Sequence, residues 1–265
     1  MELKKEIWWI IDSGENSGTY NMAFDEFLAR NVKRRPILRF YRWNPYCLSL
    51  GYAQKNGNFN YSKLKENNID IVKRPTGGRA VLHADEVTYS VILPDCHPLF
   101  YLSITELYKF ISYALQRGLK YLGINSFLEK NKKEINGLER FSPYCFSSIA
   151  RYEIKYDDKK IIGSAQRRYK NSVLQHGSIP LRDYPFNLWE FISDNFEKEK
   201  KKSILKSKCC SISTLLNKDV SYKEVVNNIK KGFEDTFSIV FQRKNISIFQ
   251  KGLIEKLSKK FRINI

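Results

Sequence analysis

The chain has 265 residues, 42% of them hydrophobic and 14% aromatic, which is enough for one large domain or two small ones and excludes wholesale disorder. Lys and Arg number 46 against 28 Asp and Glu, a net charge of +18. Such an excess attracts nucleic acid, anionic membrane surfaces or acidic partner proteins, and composition alone does not choose among them.

The N-terminal residues lead into an apolar run of only Ile7 to Ile11, too short for a signal-peptide core or a membrane span, and no later stretch is long enough to cross a bilayer. Membrane insertion is therefore not expected. The cysteines (Cys47, Cys96, Cys145, Cys209 and Cys210) are odd in number, irregularly spaced and without a Cys-x-x-Cys pair. That pattern argues against a disulfide framework and against a metal site, and it points to a reducing cytoplasm.

In chain order, Glu6 to Ile11 reads as a buried strand. Thr19 to Arg34 reads as a helix, with Met22, Ala23, Phe27 and Arg30 near helical spacing and Thr19 as N-cap. Ile37 to Trp43 and Cys47 to Tyr52 read as a hairpin around Asn44-Pro45. A short polar helix near Ser62 to Asn67 precedes a strand from Asp70 to Lys73. Ala80 to Leu93 reads as one or two strands, rich in β-branched and aromatic residues in its second half. Thr105 to Leu122 is the longest amphipathic helix, and Glu129 to Phe141 reads as a mobile polar loop.

Three strands, Ala150 to Tyr156, Lys160 to Arg167 and Val173 to Leu181, are separated by Asp157-Asp158 and Lys170-Asn171, the spacing of an antiparallel meander. The rest is helical in pattern: Phe186 to Phe196, a basic run from Lys198 to Lys208, then Lys223 to Phe237 and Ile248 to Phe261. Without an internal repeat or a clean linker, residues 1–265 read as one α+β domain with a helical C-terminal portion from about 186 to 265.

Three short segments carry chemistry. In Arg74-Pro-Thr-Gly-Gly-Arg79 the glycines let backbone approach a ligand, and Arg74 and Arg79 are suited to a carboxylate, phosphate or carbonyl oxygen. A tight hairpin turn with solvated arginines is the plainer reading, and neither a phosphate loop nor a dinucleotide fingerprint is spelled. Gly163-Ser164-Ala165 leaves room in a strand for a ligand chain, or marks a β-bulge. Cys145, in Ser142-Pro-Tyr-Cys-Phe146, is either a buried structural cysteine or a nucleophile. The second requires access and a nearby cation, which Lys160 would supply across the meander. The lysine run before Lys208 is a solvated face or a docking patch for an acidic partner.

The ordered fragments resemble the lipoate/biotin protein ligase superfamily from about Trp8 to Leu181. They are Met22-Ala-Phe-Asp-Glu26, Arg39-Phe-Tyr-Arg-Trp43, Arg74 to His83, Glu86-Val-Thr-Tyr-Ser90, Lys160 to Gln166 and Gln175-His-Gly-Ser178. Tyr144-Cys-Phe146, Tyr152-Glu153 and Lys160 are similar to the cysteine-dependent octanoyltransferase branch.

The resemblance implies the ligase catalytic-domain fold, with mixed and antiparallel sheets flanked by helices. It implies Cys145 as the acyl-bearing nucleophile and Lys160 as the residue that lowers its pKa. Arg74, Gly77, Gly78, Arg79, Ala80, His83, Gly163, Ser164 and Ala165 would line the acyl pocket. The lipoate ligases place an aspartate directly after the motif histidine, where this chain has Ala84, with Asp85 one residue later.

By this resemblance, octanoyl-acyl carrier protein is the donor and a lysine of a lipoyl domain, such as glycine cleavage H protein, the acceptor. Both partner types are typically acidic, which suits the basic chain. No cofactor is needed, because a thioester passes to another thioester and then downhill to an amide. Two other readings use the same pocket: an ATP- and magnesium-dependent lipoate ligase, and an amidotransferase between lipoyl domains. A nucleic-acid-binding protein is the reading from another class, but its aromatic residues sit in apparent core runs and no binding motif is spelled.

Overall fold

The structure is a computed structural model that describes residues 5–55, 59–130, 152–193 and 209–263. Strands β1 (Glu6–Asn16), β2 (Ile37–Trp43), β6 (Glu86–Pro94), β7 (Phe127–Lys130), β8 (Tyr152–Tyr156), β9 (Lys159–Arg168), β10 (Ser172–Pro180) and β11 (Ile239–Arg243) form one sheet, ordered β11-β1-β2-β6-β10-β9-β8-β7. Strands β3 (Cys47–Leu50), β4 (Asp70–Lys73) and β5 (Val81–His83) form a smaller one, ordered β4-β3-β5. The large sheet is mixed: β1 runs parallel to β2 and β11, and the pairs from β2 to β7 are antiparallel.

Strand alternation divides the large sheet into two faces. Leu38 and Phe40 of β2, with Val87, Tyr89, Val91 and Leu93 of β6, join a core with helices α3 (Ile104–Tyr121) and α5 (Tyr222–Phe237). Ile37, Tyr41 and Trp43 of β2, with Ile92 and Leu174, pack against α1 (Gly18–Asn31) and α6 (Ile248–Ser258). The small sheet has its own apolar cluster with α2 (Tyr61–Glu66) and a 3₁₀ turn at Leu188–Phe191. One short helix, α4 (Ile212–Leu216), precedes α5. Among the described residues, no helix is long and apolar enough to cross a membrane.

Helix α3 shows why the sequence pattern works. Leu107, Ile111, Ala114, Leu115, Gly118 and Leu119 recur on one face and are buried. Ser103 and Glu106 close a capping box at its N-terminus. On α5, Gly232 meets Gly118: a Cβ at Gly232 would collide with the Ala114 carbonyl oxygen and come within 2.9 Å of Gly118 Cα. Backbone cannot yield as a side-chain tip can. Gly232→Ala is therefore expected to push the two helices apart and lower stability by about 1–3 kcal/mol. An unchanged urea-denaturation midpoint would contradict this close crossing.

The α+β class and the meander stand as expected, with Val173–Ser178 opposite Gly163–Arg168. Other boundaries differ. The N-cap of α1 is Ser17, whose hydroxyl accepts from the Tyr20 amide, and Thr19 lies inside the helix. The segments on either side of Asn44-Pro45 do not form a hairpin, because β2 joins the large sheet and β3 the small one. The C-terminal portion is not wholly helical: β11 returns to pair with β1. Phe127–Lys130 is a strand that takes in the start of the expected polar loop at Glu129. Of the described residues of the expected Phe186 to Phe196 helix, Leu188–Phe191 form a 3₁₀ turn and the others are not helical. The remainder of that loop and the basic run Lys198 to Lys208 lie outside the described residues.

Candidate active site

The residues that face α1 across the large sheet do not complete an apolar core. Alternation puts Arg39 of β2, Glu86, Thr88 and Ser90 of β6, and His176 and Ser178 of β10 on that side, and all are buried. Charges taken out of water must be paired and hydrogen-bonded. Two carboxylates organise the pairing.

The first is Asp25 of α1. Its Oδ1 accepts from Arg39 Nη1 (2.7 Å) and Ser90 Oγ (2.8 Å), and its Oδ2 from Tyr41 Oη and His176 Nδ1 (both 2.9 Å). Burial opposes ionisation of Asp25. The Arg39 guanidinium and the His176 hydrogen bond outweigh it and hold the carboxyl below its usual range. Burial pushes His176 down, so the imidazole is neutral, with Nδ1–H on Asp25 and Nε2 accepting from Thr76 Oγ1 at 2.6 Å.

The second is Glu86. Its Oε1 accepts from Trp43 Nε1 (3.1 Å), Thr88 Oγ1 (2.5 Å) and His83 Nδ1 (2.9 Å), and its Oε2 from Ser178 Oγ and Tyr184 Oη (both 2.6 Å). Burial again raises its pKa, but His83 and the hydroxyl donors bring it below the ordinary value. His83 stacks on Trp43 at 4.0 Å, and its Nε2 lies 2.8 Å from Ser49 Oγ. Burial and the Glu86 charge push the Tyr184 phenol well up, so it stays protonated and donates.

These groups surround a narrow cavity in the face of the large sheet. Met22, Tyr41, Trp43 and Val81 make its apolar walls, and Gly163, Ser164, Ala165 and Gly177 supply a side kept open by small residues. Ser49, Arg74, His83, Thr88, His176 and Ser178 also line it. A mainly apolar slot with a few fixed polar groups suits an acyl chain.

Of the residues singled out in the sequence, Arg74, His83, Gly163, Ser164 and Ala165 meet at this cavity. Arg74 donates to the carbonyl oxygens of Ser49, Gly77 and Arg79. The glycine turn is thus clamped from inside, with Gly78 in the left-handed region (φ +92°) that glycine adopts without strain. Gly77 and Gly78 are exposed in that turn, Arg79 is half-buried beside it, and Ala80 packs in the small sheet's apolar cluster.

Lys160 is only 4% exposed, and its ammonium donates to Glu153 Oε1 at 3.0 Å across the β8–β9 pair. It stands three residues before Gly163, where β9 reaches the cavity wall. Cys145 lies outside the described residues. Burial pushes the Cys210 thiol up to about 11 and the Cys47 thiol well up, so neither is a thiolate near neutrality.

Sequence reasoning gave no role to Asp25, Glu86, Ser49 or Tyr184. Asp85, the carboxylate nearest the motif position in the chain, instead binds Arg42 and Arg182 at the surface. The carboxylate that faces His83 is Glu86, three residues on. Strand parity was the available signal: Glu86, Thr88 and Ser90 alternate with the apolar residues of β6.

The Lipoyl protein ligase A/B catalytic domain family matches residues 17–234. Octanoyltransferase LipM of Staphylococcus epidermidis is 37% identical over 97% of this chain and 96% of its own length. The LipM octanoyltransferases of Bacillus subtilis and Clostridioides difficile are each 36% identical, over 97% and 96% of this chain and 96% of their own lengths. In fold, the chain is similar to a bipartite lipoate protein ligase of Thermoplasma acidophilum, with a TM-score of 0.75 at 23% identity, covering 96% of this chain and 93% of that one. Octanoyltransferases align along nearly all of its length, and the chain is an acyltransferase enzyme. It belongs to the lipoyl protein ligase A/B catalytic domain family.

Proposed function

We propose that the enzyme is an octanoyltransferase of lipoate assembly. It takes octanoyl from octanoyl-acyl carrier protein and delivers it to a lysine of a lipoyl domain such as glycine cleavage H protein. The observation that carries this reading is the buried Lys160 ammonium, placed on β9 just before the small-residue wall of an apolar slot. The whole-length similarity to octanoyltransferases supports the acyl group, and the basic chain suits acidic partners.

In the proposed route, the Cys145 thiolate attacks the donor carbonyl. The tetrahedral intermediate expels the carrier thiolate, which takes up a proton, and leaves octanoyl on Cys145. The acceptor amine then attacks this thioester, loses a proton, and releases the Cys145 thiolate as the amide forms. Lys160 favours the thiolate in both steps by its charge. The energy of the donor thioester drives the sequence, and no nucleotide or metal enters it.

The test combines the protein, octanoyl-carrier protein and a lipoyl domain without ATP. Octanoylation of the lipoyl domain that Cys145→Ser abolishes is expected. Transfer that requires ATP and survives Cys145→Ser would replace this reading with an adenylating ligase. Transfer only from an already octanoylated domain would make the enzyme an amidotransferase.

A further inference from the structure

The acyl slot is one of two cavities that share the same strands. A second, larger and more polar, lies against the other ends of β9 and β10. Along β9, Lys159 lines the second cavity and Gly163 to Ala165 line the first. Along β10, His176 to Ser178 line the first and Pro180 the second. Alternation makes the same division within β5: Val81 and His83 line the first cavity, and Leu82 lines the second.

Lys160 stands where β9 crosses from one cavity to the other. Its backbone bridges to Cys209, and its carbonyl oxygen accepts from the Cys210 amide at 3.2 Å; both cysteines line the second cavity. Tyr184 also lines that cavity, while its hydroxyl reaches Glu86 and lies 3.4 Å from Ser178 Oγ in the acyl slot. The phenol is the partition between the two.

We propose that the second cavity receives the pantetheine-type arm of the acyl-thioester donor. This rests on the octanoyl-transfer reading and extends it. A thioester carries its acyl chain on one side of the carbonyl and its thiol arm on the other. With the acyl chain in the first cavity and the carbonyl at Lys160, the arm continues along β9 and β10 into the second.

The lining matches such an arm. Leu82, Phe186 and Trp189 offer apolar surface to its methyl and methylene groups. Its phosphate end would meet the exposed Lys159 at the rim. Arg182 is unsuited to that contact, because Asp85 and Asp219 already hold its guanidinium.

The experiment compares octanoyl-4′-phosphopantetheine, octanoyl-pantetheine and the truncated thioester octanoyl-N-acetylcysteamine as donors to the full-length protein, reading kcat/KM. The wild type is expected to favour the full arm over the truncated donor. Phe186→Ala and Lys159→Glu should each reduce that preference about tenfold, as the loss of one apolar or ionic contact does. The Lys159→Glu effect should vanish when the donor lacks phosphate. A preference left unchanged by both variants, or no preference in the wild type, would overturn the arm site while leaving octanoyl transfer intact. A wild type that uses none of the three thioesters, nor octanoyl-carrier protein, would overturn the transfer reading and the arm site together.

Discussion

Lys160→Ala is expected to lower octanoyl transfer by about 10²–10⁴-fold, the range lost when a group that tunes an acid, base or nucleophile is removed. The same change should slow alkylation of Cys145 by iodoacetamide at neutral pH, read at its own peptide by mass spectrometry, because less of the thiol is ionised. Removing the lysine also strands Glu153, which is buried and receives the Lys160 hydrogen bond. Breaking a buried pair costs about 3–5 kcal/mol, so a loss of fold could imitate a loss of chemistry. The double variant Lys160→Met, Glu153→Gln removes both charges and separates the two. A folded double variant that still transfers at the wild-type rate, with unchanged Cys145 alkylation, would remove Lys160 from the mechanism.

The second large effect is on stability. Asp25 and Arg39 are both fully buried and joined at 2.7 Å, and the carboxylate also anchors Tyr41, Ser90 and His176. Asp25→Ala would leave a guanidinium buried without its counter-charge, at a cost of about 3–5 kcal/mol. Urea denaturation measures it, and a loss under about 1 kcal/mol, the value of an exposed pair, would contradict the arrangement.

The same network sets a direction for pH. Asp25, Glu86 and His176 all have pKa values lowered on folding, so the unfolded chain binds more protons and acid favours unfolding. The His176 contribution is complete above the unfolded histidine value of about 6.5 and is lost as pH falls below it; those of the carboxylates follow from about pH 4 downward. In His176→Gln the upper limb should flatten. A wild-type melting temperature that rises between pH 7 and pH 5 would contradict the sign.

Local pattern carried much of the fold. The β8–β10 meander was legible because short polar turns separate runs of strand-forming residues. Helix α3 was legible because one apolar stripe persists from Leu107 to Leu119. What escaped was non-local. Nothing between Trp43 and Cys47 reveals that the chain leaves one sheet for another, and Ile239–Arg243 falls between two helical segments with no element of its own until β1, more than 230 residues earlier, offers it a parallel edge.

The site divides in the same way. Gly163 to Ala165 and His83 were visible as small residues in a strand and as part of a motif. Asp25 was hidden inside a helical pattern, and its partners lie 14 to 151 residues away on three strands. Glu86 looked like an ordinary polar position beside Asp85, and only strand parity turns it toward His83.

The most direct measurement is the mass of the enzyme after brief exposure to octanoyl-carrier protein in the absence of acceptor and ATP, with the modified peptide mapped. A single octanoyl group on the Cys145 peptide, released by hydroxylamine and discharged when a lipoyl domain is added, is the expected result. An octanoyl group on any other residue, or an acyl-free enzyme that still completes transfer, would contradict a covalent route through Cys145.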